Sequence, residues 1–136
     1  MTSMEPLAAL LVRLGLAASM LTHGIVRLPK LTQFADSTVA VYSDTFLPAH
    51  VVLFAGYCIP IIQLLTGILL LIGFKTRLTA FAVGLLMILL ITGSGLSENW
   101  GAMPSQFIHL LFAAILIVFS INPSRYSVDF WLKKRE

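Results

Sequence analysis

The sequence predicts an all-α integral membrane protein: a four-helix bundle, forming one transmembrane domain over residues 1–136, with both termini on the cytoplasmic side. Three observations predict it. Hydrophobic residues make up 58% of the 136 positions and charged residues 11%, against about 25% charged in ordinary soluble domains. The apolar residues gather into four long runs. The basic residues lie between those runs instead of forming one patch, which argues against a nucleic-acid partner despite the net charge of +3.

The first run spans about Leu7–Leu28, long enough at about 1.5 Å per residue to cross a hydrocarbon core of about 30 Å. A cleaved signal would start with a basic cluster. Here Glu5 stands near the start and Arg13 interrupts the run, so a permanent helix is expected. In the loop from Pro29 to His50, Leu31, Phe34, Ala35, Val39 and Tyr42 recur at helical spacing, with Gln33, Asp36 and Asp44 among them. That pattern predicts a short amphipathic helix at the outer surface.

The second run, Val51–Ile72, also spans. The third and fourth are shorter, but uncharged flanks let them extend to about Leu78–Ser94 and Gln106–Ile121. Continuous runs of this length lack the alternation of a membrane β-barrel, and helices satisfy every backbone group internally. After the fourth run, Tyr126–Lys134 reads as an interfacial anchor.

Orientation follows from the basic residues. Lys75 and Arg77 in the Gly73–Arg77 turn share a side with Arg125, Lys133, Lys134 and Arg135, and only Arg27 and Lys30 lie near the other. The positive-inside rule places the turn and both termini in the cytoplasm. Trp100 and Trp131 then fall at opposite interfaces. The single cysteine, Cys58, has no CxxC partner, so thiol–disulfide exchange by this chain alone is excluded. No flavin, nucleotide, iron–sulfur or other metal-ligand pattern is present, so no intrinsic cofactor is expected.

Ionisable groups inside membrane helices are costly and mark pathways or sites. Matched depth on flush antiparallel helices predicts two polar layers: Arg13 with Gln63 toward the cytoplasm, and His23 with His109 and Gln106 toward the outside, near Trp100. Gly56, Pro60, Gln63 and Gly67 share one stripe, and Gln106, His109, Ala113 and Ser120 another. Gly15/Ser19 and Ala18/Thr22 are small pairs suited to close helix contact. Plainer roles exist for each polar residue. Arg13 can snorkel to headgroups, each histidine can bond a helix carbonyl, and Gln63 can tie helices together.

Two stretches resemble the DoxX-like membrane proteins. In Arg13–Leu28, Arg13 and Gly15 are followed by His23-Gly24 and then Arg27-Leu28. In Gln63–Ala80, Gly67 precedes a turn with Gly73, Thr76 and Arg77. Where the family commonly has Glu, this chain has Gln63. The resemblance implies four helices in a bacterial-type cytoplasmic (inner) membrane. It also implies an accessory subunit of a redox system with a separate redox partner protein, and the outer polar layer of His23, His109 and Gln106 is the expected quinone contact. Haem between the histidines is the less favoured alternative. Two other functions stay open: a small-solute binding or transport module acting as a homo-oligomer, with Arg13 as anion contact, and a scaffold for a partner protein. Arg13, Gln63, Gly24, Gly67 and Arg77 are the expected structural positions.

Overall fold

The computed structural model describes residues 4–135 and is all-helical among them. Six α-helices follow in order: α1 (Glu5–Arg27), α2 (Leu31–Val41), α3 (Ala49–Ile72), α4 (Thr76–Leu96), α5 (Met103–Phe119) and α6 (Val128–Lys133). Short 3-10 turns, Leu28–Lys30 and Trp100–Ala102, precede α2 and α5. Four helical runs are long and apolar enough to cross a membrane. At 24 residues, α3 is about 36 Å long at about 1.5 Å per residue.

Helices α1, α3, α4 and α5 close into a ring in that order, α5 returning to α1. Leu16, Met20, Leu70, Val83, Met87, Ala113 and Leu116 fill the centre. Leu11, Phe54, Leu78 and Val118 are among the large apolar side chains left on the outside, as a chain solvated by lipid requires. Hydroxyl side chains inside the helices return a hydrogen bond to their own backbone: Thr66 donates to the Ile62 carbonyl and Thr92 to that of Ile88. That habit makes them tolerable in hydrocarbon.

Glycines set how α1 and α3 meet. A β-carbon on Gly24 would come 2.7 Å from Leu64 Cβ, and one on Gly67 would come 2.7 Å from the Leu21 backbone nitrogen. The backbones therefore nearly touch, as small residues at membrane helix crossings permit. Both contacts define one antiparallel register. One step from the Gly24–Leu64 level brings Gln63 beside Ile25, whereas the same register carried back to Arg13 lands on Lys75.

The helices are thus not flush. Helix α1 is displaced past the Gly73 turn, and α2 continues where α1 stops, so the first half of α3 packs on α2. Ala35 of α2 is fully buried against Gly56. The predicted face of α2 is the one turned inward, with Leu31, Phe34, Val39 and Tyr42 partly covered and Gln33 and Asp36 exposed. Asp36 is helical, not in a loop. The small pairs on α1 make no such contact: Gly15, Ala18 and Thr22 are exposed, and nothing lies within 4 Å of a β-carbon on Gly15.

At the opposite end from α2, the tail folds back onto the α3–α4 turn. Gly73 ends α3 in the left-handed region at φ 71°, and Lys75 repeats it at φ 45°, a conformation costly for a residue with a β-carbon. Asp129 of α6 compensates. Its carboxylate accepts from the Lys75 and Thr76 backbone N–H groups at 2.6 and 2.8 Å, capping α4 from a distant part of the chain. Its own N–H donates to the Gly73 carbonyl at 3.1 Å. Asp129→Ala should lower stability by about 1–2 kcal/mol, the usual cost of a lost charged cap. A fall in the detergent melting temperature would register it, and an unchanged midpoint would refute the capping role.

Candidate functional site

The bundle holds an open cavity of about 390 Å³ at its α2 end, where α1, α3, α4 and α5 meet beneath α2. Its apolar wall is Met20, Ile59, Met87 and Leu90, and Phe34 and Val41 of α2, with Tyr42 just after it, also line it. The polar wall gathers His23, Arg27, Gln63, Ser94, Gln106 and His109. Four come from positions singled out in the sequence. Ser94 and Arg27 join them.

His23 and His109 face each other with ring centroids 6.2 Å apart and planes at 90°. Each ring is fixed through Nδ1, which donates to the carbonyl four residues earlier: Ser19 at 2.7 Å for His23, Ser105 at 2.6 Å for His109. That contact makes Nε2 the acceptor nitrogen in the neutral ring. The Ser19 hydroxyl occupies Nε2 of His109 at 2.5 Å. No protein donor among the described residues takes Nε2 of His23, a residue of the cavity wall. Gln106 donates from Nε2 to the Ser94 hydroxyl at 2.8 Å, and its Oε1 is buried without a partner.

The expected Arg13–Gln63 pair does not form. Gln63, only 2% exposed, accepts instead from Arg27 Nη1 at 2.9 Å. The register explains this, and so does side-chain direction. Helical side chains lean toward their own N-terminus. Arg27 therefore leans back along α1 while Gln63 leans along α3 toward the α2 end, and they converge. Arg13 leans toward the same N-terminal end of α1, which carries it away from Gln63. Its Nη2 donates to the Tyr126 carbonyl at 2.6 Å, and the guanidinium also borders Gly73, where the side chain is 4% exposed. Arg13 thus belongs to the tail clasp, not to an anion site in the cavity. The sequence signal for Arg27 was its position one helical turn after His23.

The remaining expected positions divide by role. Trp100, 62% exposed in its 3-10 turn, does not line the cavity. Gly24 and Gly67 form the α1–α3 seam, and Arg77 is exposed on the first turn of α4. No group of three metal-binding side chains occurs among the described residues.

A family model described as DoxX matches residues 8–95. The chain belongs to the DoxX family. The match runs from α1 to the end of α4, and so includes His23, Arg27 and Gln63 but stops before Gln106 and His109 of α5. No curated protein and no solved structure matches the chain.

Proposed function

We propose that this DoxX-family membrane protein is an accessory subunit of a membrane redox system and that its cavity receives a quinol headgroup. The supporting observation is the unoccupied Nε2 of His23, on a ring whose centroid lies 6.2 Å from that of His109 in the cavity wall. A quinol presents two hydroxyl donors and needs an acceptor near each. His23 Nε2 is one, and Gln106 lines the same polar wall. Imidazole suits the task because it exchanges protons near neutral pH. In this reading the electrons pass to a partner protein, in keeping with a sequence that shows no flavin, nucleotide or iron–sulfur pattern. Apolar Met20, Ile59, Met87 and Leu90 accommodate the ring, as small-molecule sites generally do.

Titration of the purified protein with a short-chain benzoquinol by calorimetry tests this reading. Saturable binding of one quinol per chain is expected, and heats no larger than those of dilution would defeat it. In the orientation this reading adopts, the cavity opens toward the outer leaflet of a bacterial-type cytoplasmic membrane. A reporter fused after Glu136 should then be cytoplasmic, and a cysteine introduced in the 29–50 loop should be labelled from outside. External exposure of the tail reporter would reverse the orientation.

A further inference from the structure

Arg27 brings a full positive charge into the cavity, with no carboxylate among the described residues that line it. Its one hydrogen-bond partner is the neutral amide of Gln63, and no Asp or Glu is among the residues lining the cavity. Phe34 covers one face of the guanidinium, with its ring centroid 4.6 Å from the central carbon, so the planar edges remain the way in. Only Nη1 is committed, and no Arg27 nitrogen is buried without a partner. The remaining N–H groups form an open fork of the kind that binds a carboxylate in two places. Because Gln63 accepts through Oε1, its Nε2 is left as a neighbouring donor.

We propose that the Arg27–Gln63 end of the cavity binds the negative group of a small organic anion, whose apolar body lies against Met20, Ile59, Met87 and Leu90. A lone inorganic ion would leave most of about 390 Å³ unfilled, and an organic anion meets both the one arginine of the lining and its apolar wall. Gln63 is the specificity-determining residue, because a neutral partner positions the guanidinium without cancelling its charge. This rests on the cavity being a ligand site, as above, but not on the ligand being a quinol.

The test compares benzoate with its neutral counterpart benzamide by calorimetry on the intact chain in detergent. Benzoate should bind about tenfold or more tightly than benzamide, a modest share of what a desolvated charge pair commands. Arg27→Gln should abolish the difference. Gln63→Glu, which puts a carboxylate on the guanidinium without changing shape, should also abolish benzoate binding while the melting temperature holds or rises. Equal binding of the two probes, no benzoate binding, or undiminished benzoate binding by the Gln63→Glu protein would overturn the proposal. A quinol titration run alongside separates the readings. Benzoate binding without quinol binding removes the redox reading alone, and quinol binding without benzoate binding removes this one alone.

Discussion

Gly67→Leu is expected to prevent the native bundle from forming. At Gly67 even a β-carbon would come within 2.7 Å of the Leu21 backbone nitrogen and 2.8 Å of the Leu21 Cγ. The side chain could move aside, but the α1 backbone could not without separating from α3 along the whole seam. The same seam runs through Gly24, where a β-carbon would come 2.8 Å from the Leu64 backbone, so relief at one crossing opens the other. Over-packing of a well-filled core costs about 1–3 kcal/mol when side chains can adjust. A clash with backbone on both sides should exceed that range, and a small membrane domain has little stability to spare. The expected readout is loss of a monodisperse, cooperatively melting species after detergent extraction. Gly15→Leu is the control: it adds the same bulk to the same helix where nothing lies within 4 Å, and should behave as the parent. A Gly67→Leu protein with a normal melting midpoint would refute the packing described for α1 and α3.

That seam also shows why some features were legible in the sequence and others were not. Helix number and face depend on local composition and period, which the chain carries openly. The four runs and the helical period of α2 therefore stand as read, with boundaries moved by only a few residues. Register between helices depends on which small residues face each other, and that is a pairwise property. Assuming flush ends placed Gln63 beside Arg13, whereas the Gly24–Leu64 and Gly67–Leu21 contacts slide α1 along α3 and give Gln63 to Arg27. The pairing of His23 with His109 was recoverable because both lie near one end of the bundle, where an error in register matters less. The clasp of Arg13, Asp129 and the Gly73 turn was not recoverable. It joins residues far apart in sequence through backbone carbonyls and N–H groups, which composition does not reveal.

The histidine pair carries the other large expected effect. Replacing both His23 and His109 with Phe should weaken binding of a short-chain benzoquinol by about thirtyfold or more. The reasoning starts from the partners left behind: a hydroxyl buried with no acceptor costs about 1–3 kcal/mol, and the variant removes the free Nε2 of His23 outright. It also releases the Ser19 hydroxyl from His109 Nε2, altering the donors that face the ring. The fold should survive. The Nδ1 contacts of both rings go to carbonyls four residues back on their own helices, acceptors that the helix already satisfies, and phenylalanine occupies similar space in an apolar surrounding. Only the Ser19–His109 bond is lost between helices, about 1 kcal/mol, so the melting temperature should fall slightly. The single variants order the contributions. His23→Phe should account for most of the loss because its Nε2 is the unoccupied one, and His109→Phe should account for less. Trp100→Phe should have no effect, since the indole lies outside the cavity. Undiminished quinol binding by the double variant would remove the histidines from the site, and equal losses from the two single variants would show that the Ser19 contact does not hold His109 back from the ligand.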